Sequence, residues 1–150
     1  MPATPAPLWL RLGAAVYDLF PLIALWMLTA AIFLFAARGS VDVAHPPFAY
    51  HFALQLALLA VTAAYFVVSW TRGGQTIGMR AWRLRVVRAD GTPLDTRQAI
   101  VRFLVSVISL AAVGLGFWWA LFDAQNRTWH DLAAGTVMVR LEKTGPGTRD

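Results

Sequence analysis

Cysteine is absent from the 150-residue chain, which excludes disulfides, thiolate metal sites and a cysteine nucleophile and leaves the redox compartment undetermined. Charge is scarce: 14% of residues are Asp, Glu, Lys or Arg, against 58% that are hydrophobic. Both figures depart from the usual shares of soluble domains in the direction of a membrane protein. Acidic residues number only eight, giving a net charge of +5. Nucleic acid is not the expected partner, because the basic residues sit between and after apolar runs, where lipid headgroups and membrane topology explain them. Met1 to Pro7 has no basic side chain, so the apolar run that follows is expected to be retained rather than cleaved as a signal peptide.

Two long apolar runs are present. From Arg11 to Ala37 only Asp18 is charged after the opening arginine, and the run exceeds the roughly 20 residues that cross a bilayer core as a helix. Phe48 to Trp70 is a second such run without a formally charged residue. Arg38, Gly39 and the Pro46-Pro47 pair separate them, so the expected arrangement is an antiparallel helical hairpin over about residues 9–37 and 48–70. Residues 1–7 read as a disordered Pro/Ala tail. Trp9, Trp70, Trp82 and the Trp118-Trp119 pair read as interfacial anchors.

Asp18 is the conspicuous residue of the first run. An ionisable group inside a span costs on the order of 2.5 to 3.5 kcal/mol, so a compensating partner is expected. Arg11 lies seven residues earlier, on nearly the same face and about 10 Å away along the axis. Pro21 follows and predicts a bend just beyond the carboxylate.

Arg72, Arg80, Arg83, Arg85, Arg88 and Arg97 crowd the segment after the second run, whereas the first connector holds Arg38 alone. That asymmetry predicts a cytoplasmic segment 71–98 and a cytoplasmic N-terminus. Alternation predicts strands over about 82–89 and 136–142. Asp95 to Gln98 resembles a capping box and predicts a helix from about 97 to 123. This third apolar region permits two topologies, a simple crossing or a re-entrant pair of short helices broken near Gly114 and Gly116. Pairing of the two strands requires both on one side and favours re-entry, which is tolerable only where protein or water covers the broken backbone. Residues 143–150 read as a flexible C-terminal tail of a single domain spanning 8–142.

Recognisable chemistry is thin. GGQTIGMR (73–80) fails as a phosphate loop because Met79-Arg80 stands where Lys and Ser or Thr belong. His130-Asp131 has no metal-ligand partners at suitable spacing, His45 and His51 lying near the opposite connector, and Ser69, Ser106 and Ser109 sit in no elbow motif. Metal binding, a cofactor and enzymatic activity are therefore not expected. The expected site is a polar cluster of Arg11, Asp18, Asp131, Arg102 and Asp123 below the headgroups, with Arg102 alternatively extending its head group to the surface.

Three stretches, LWLRLGAAVYDLFPLIAL, GGQTIGMRAWRLRVVRADGTPL and GFWWALFDAQNRTWHDLAAGTVMVR, together resemble the RDD family of small bacterial membrane proteins over roughly Leu8 to Arg140. The family takes its name from an arginine opening the first helix, an aspartate within it and a second aspartate. Arg11 and Asp18 match the first two, and Asp131 matches the third better than Asp123. Relatives commonly carry a lysine after the second glycine of the GQT loop, where this chain has Met79 and then Arg80. The resemblance implies a multi-pass protein of the bacterial inner (plasma) membrane, with transport of unidentified ligands suggested and ion exchange proposed for some members.

The fold class expected is an all-α membrane protein with two transmembrane helices, a third broken, re-entrant or spanning helical region, and a small cytoplasmic two-stranded β element. The expected function is a transport-related component in which Asp18 changes protonation or partner. The alternative is a structural or partner-binding module whose charges fix helix packing. Expected partners are the bilayer, anionic lipid headgroups, and a second copy or another membrane protein.

Overall fold

The computed structural model describes residues 4–42 and 44–141; the expected C-terminal tail and the end of the second expected strand lie outside the described residues. The element order is β1 (Thr4–Pro5), α1 (Leu8–Ala37), α2 (Phe48–Gly73), α3 (Ile77–Ala81), β2 (Leu84–Arg88), α4 (Thr96–Ala111), α5 (Leu115–Trp118), a 3-10 turn (Trp119–Leu121), α6 (Trp129–Ala134) and β3 (Thr136–Arg140). Helices α1 and α2 are long and apolar enough to cross a membrane. Helix α1 runs unbroken through Pro21. Trp26 Nε1 donates to Thr62 Oγ1 at 2.8 Å and ties the hairpin together along its length.

The buried core gathers at one end of this hairpin. Leu10 and Ala14 of α1, Trp70 of α2, Met79 of α3, Leu84 and Val86 of β2, Ala99 and Phe103 of α4 and Met138 of β3 form one cluster. Elsewhere α1 and α2 leave large apolar side chains exposed, Phe20, Met27, Phe35 and Phe48 among them. The chain thus has a packed head and a two-helix stalk.

The sheet is three-stranded, in the order β1-β3-β2 and antiparallel throughout. Leu84 pairs with Arg140 and Arg88 with Thr136, so Leu84 and Val86 point inward while Arg85 is exposed, as period-two alternation requires. This corrects two expectations, the two-stranded element and, over residues 4–7, the disordered tail; residues 1–3 of that tail lie outside the described residues. Thr4 and Pro5 pair with Arg140 and Val139, the Ala6 amide donates to the Met138 carbonyl at 2.9 Å, and Ala6 is fully buried. The free edge of β3 offers unpaired backbone groups that another strand satisfies, and a proline fits on such an edge strand because no ladder donor is required of it.

Helix α4 begins at the head, capped by Asp95, whose carboxylate accepts from the Gln98 amide while the Gln98 side chain accepts from the Asp95 amide. The axis turns by 107° between α4 and the α5 segment. Val113 and Gly114, both at positive φ, make the corner, and α6 then packs back on α4. Because β3 lies beside β2, the third apolar region leaves the head and returns to it.

Candidate functional site

Asp131 forms the centre of the head. It occupies the third position of α6 behind the N-cap Thr128, so its Oδ2 accepts from the Thr128 amide at 2.9 Å and from the Thr128 hydroxyl at 2.8 Å. The same oxygen accepts from Arg11 Nη1 at 2.7 Å, and Oδ1 accepts from Arg102 Nη1. Arg102 Nη1 also donates to Thr136 Oγ1 at 2.7 Å, and its guanidinium lies 5.0 Å from the centre of the Trp70 ring. All three charged groups are buried, with Asp131 fully inaccessible. One end of α1, the middle of α4 and the start of α6 are thereby tied to a single carboxylate.

The triad carries a net charge of +1. Burial by itself would raise the Asp131 carboxyl, but the guanidiniums of Arg102 and Arg11 outweigh it and hold the group far below the usual carboxylate range. His130 stands beside the triad with its Nε2 2.8 Å from Thr128 Oγ1. Burial, reinforced by the Arg102 guanidinium, pushes its imidazole down from 6.5 to about 3, so it is neutral at physiological pH.

A pH dependence follows from these two directions. The unfolded chain protonates His130 below pH 6.5 while the folded chain does not, so stability falls as pH drops from 6.5 towards 3, by ~1.4 kcal/mol for each pH unit crossed. Asp131 has its pKa depressed and contributes fully above its ordinary value of 3.8, losing that contribution only below it. The slope between pH 6.5 and 3.8 therefore belongs to His130. Thermal melts in detergent should show it for the native chain and a much flatter profile for His130→Gln; an unchanged slope in the variant would remove His130 as its source.

Asp18 has a different environment from the one expected. Arg11 does not pair with it, and the ion pairs found among the described residues do not include it. Its Oδ1 accepts from the Tyr65 hydroxyl at 2.6 Å and from the Gly78 amide at 2.8 Å, and its Oδ2 accepts from the Thr76 hydroxyl at 2.5 Å. Neutral donors solvate the carboxylate where cations were expected. The physical reason is the GQTIG segment. Gly74, left-handed, caps α2, Thr76 caps α3, and Gly78 brings its backbone so close to α1 that a Cβ there would stand 2.0 Å from the Ala14 carbonyl oxygen and 2.9 Å from the Asp18 carboxyl carbon. Only a residue without a side chain can deliver that amide.

Asp123 is separate from both groups. It is held by Arg127, whose Nε and Nη2 donate at 3.1 and 3.2 Å, and by the backbone amides of Gln125 and Arg127. The Arg127 hydrogen bonds keep its carboxyl low, at about 2. The expected five-residue cluster thus divides into Arg11-Asp131-Arg102, a neutral-donor cage around Asp18, and a surface loop pair at Asp123.

Residues that sequence reasoning did not reach complete the site. Thr128-x-x-Asp131 is a capping-box pattern and was legible as such. Tyr65 and Thr136 carry no local signal. Beside the triad lies a cavity of about 430 Å³ between α1, α2 and α4, bordered by Arg11, Asp18, Arg102 and His130 and otherwise mainly by apolar side chains such as Leu59, Phe66, Phe103 and Val107. Arg11 Nε and Nη2, Arg102 Nε and His130 Nδ1 are buried without a hydrogen-bond partner among the described residues. Such atoms are exceptions in folded proteins. Among the described residues no group of His, Asp or Glu is arranged to hold a metal ion.

Comparison with known proteins gives a match to the RDD family over residues 5–135. The chain is also 29% identical over 83 residues to an uncharacterized protein of Rickettsia prowazekii (strain Madrid E), covering 55% of this chain and 46% of that relative. The matched region therefore spans about half the length of the curated relative. No solved structure matches the chain.

Proposed function

This chain belongs to the RDD family, and from that premise we propose that it is a transport-related component of a bacterial inner membrane that holds a small ligand in the cavity between α1, α2 and α4. The observation that carries the reading is the cavity itself, within the ~300–1,000 Å³ range of small-molecule sites and bordered by the charged residues Arg11, Asp18 and Arg102. Its mainly apolar wall favours a ligand over a bare ion, because a desolvated ion needs a ring of oxygens to replace its hydration shell.

In this reading α1 and α2 are the spans, since their exposed apolar flanks suit hydrocarbon and not water. Arg72, Arg80, Arg83, Arg85, Arg97 and Arg140 are exposed at the head, and the other end of the hairpin carries Arg38. The positive-inside rule then favours a cytoplasmic head, with the third apolar region re-entering from that side and the exposed arginines meeting anionic headgroups. A second copy or a partner membrane protein would complete any pathway across the bilayer, because two spans enclose none.

The test uses the cysteine-free background. In zwitterionic vesicles N-ethylmaleimide should modify Ser106→Cys, which borders the cavity, much faster than Ser109→Cys, which is fully buried against Gly116. Equal, slow reaction at both positions would sink the cavity reading. The second reading, a module whose charges only fix packing, draws on the complete engagement of both Asp18 oxygens and both Asp131 oxygens by protein donors. It predicts that Ser106→Cys is as unreactive as Ser109→Cys.

A further inference from the structure

The cavity between α1, α2 and α4 presents no charge to an occupant. Arg11 and Arg102 border it, yet both are paired with Asp131, and Asp18 supplies a second carboxylate on the border. With His130 uncharged, two guanidiniums and two carboxylates cancel. The polar atoms are also out of reach. Asp131 is fully inaccessible, and Asp18 is 3% exposed with both oxygens engaged by Tyr65, Thr76 and Gly78. The unpartnered nitrogens of Arg11, Arg102, His130 and Trp70 each expose less than 1 Å². An ion of either sign finds neither an opposite charge nor a hydrogen-bond partner there, and a desolvated charge without one is costly.

What the cavity does present is aromatic. Phe66 and Trp70 of α2, Phe103 of α4, and Phe117 and Trp118 of α5 border it. Phe66 has its ring centre 5.3 Å from that of Trp70 and 6.3 Å from that of Phe103, inside the roughly 4.5–7 Å spacing of interacting rings. Leu12, Leu59, Val107 and Leu110 border the cavity and are at the same time exposed on the outer surface of the helices, so its mouth is apolar and opens beside the stalk. With α1 and α2 as spans, a molecule entering by that mouth comes from the hydrocarbon.

Resting on the cavity reading above, we infer that the site takes an uncharged, ring-bearing lipophile from the bilayer. A flexible chain gains little by exchanging lipid tails for leucine side chains, and it loses rotational freedom when held. A planar ring has less freedom to lose, and each aromatic neighbour it meets adds a stacking contact that lipid tails do not offer. Selectivity therefore follows charge first and rigidity second.

The native chain in phosphatidylcholine vesicles supplies the experiment. Benzophenone is the probe, being uncharged, built of two rings and able to cross-link to nearby C–H bonds under ultraviolet light. The expected result is saturable labelling of the peptides holding Phe66 and Phe103 to Val107, while the exposed stalk near Met27 and Phe35 is labelled in proportion to the probe. Dodecylbenzene should compete. Dodecylbenzenesulfonate and benzyldodecyldimethylammonium, which carry a fixed charge at the same ring, should compete at least about tenfold more weakly, and hexadecane should compete as weakly as they do. Equal competition by either ionic compound would overturn the uncharged assignment, and equal competition by hexadecane would overturn the ring assignment. Loss of the saturable labelling as the protein-to-lipid ratio rises would give the cavity to a second copy in place of a lipophile. Labelling that saturates nowhere while Ser106→Cys stays reactive would overturn the ligand class and leave the cavity reading standing; an unreactive Ser106→Cys would remove both.

Discussion

Asp131→Asn should cost about 3–5 kcal/mol, the range for breaking a buried ion pair by removing one partner, and should leave little folded protein in detergent. Two guanidiniums, from Arg11 and Arg102, would face each other in a buried site with no counter-charge. The variant also weakens the α6 cap, because an amide in place of the carboxylate presents only one oxygen where Thr128, Arg11 and Arg102 all now donate. Thermal melts and size-exclusion profiles would read the loss. A triple replacement that removes all three charges, Arg11→Met, Arg102→Met and Asp131→Leu, should recover most of the lost stability, because buried ionic clusters are often matched by well-packed apolar groups. If Asp131→Asn melts with the native protein, the triad does not hold α1, α4 and α6 together as described.

Gly78→Ala is expected to have the second large effect. The added methyl would stand 2.0 Å from the Ala14 carbonyl oxygen, a distance no side-chain rotation can relieve because the obstacle is backbone. Helix α3 must move away from α1, and the Gly78 amide must leave Asp18 Oδ1. Overpacking costs about 1–3 kcal/mol and a lost hydrogen bond to a charged group about 1.5–3 kcal/mol, which places the total at about 2.5–6 kcal/mol. Gly91→Ala is the control. Gly91, unlike Gly78, has a positive φ of 83°, and it has open space around it, so only the backbone term of about 1–2 kcal/mol applies. Similar melting shifts for the two variants would show that contact with α1 is not what requires glycine at position 78.

Both predictions bear on the same feature, the division of two acids between two kinds of compensation. Asp131 is matched by charge and Asp18 by neutral donors. A carboxylate accepting two or three good hydrogen bonds is satisfied without a cation, so the desolvation argument that predicted a partner for Asp18 was sound about the need and wrong about the identity of the donor. It selected Arg11 because helical spacing relates residues within one helix. The real donors come from α2, from the N-cap of α3 and from α3 itself, tens of residues away.

The sequence by itself determined the elements whose cause is local. Runs of apolar residues long enough for a span, the Pro46-Pro47 interruption, the period-two stretch around Leu84 and Val86, and the Asp95 capping box are each decided by neighbours a few residues apart. Their physics is hydration, backbone sterics and short-range hydrogen bonding. Tertiary structure alone decided what meets across the chain: the third strand at Thr4–Pro5, Arg11 on Asp131 in place of Asp18, the neutral cage around Asp18, and a cavity bordered by Arg11, Asp18 and Arg102. Those contacts depend on how α4 turns back and how closely Gly78 lets α3 approach α1. Charge and spacing in a sequence leave such distances undetermined, because the energy that fixes them belongs to groups brought together only by the folded chain.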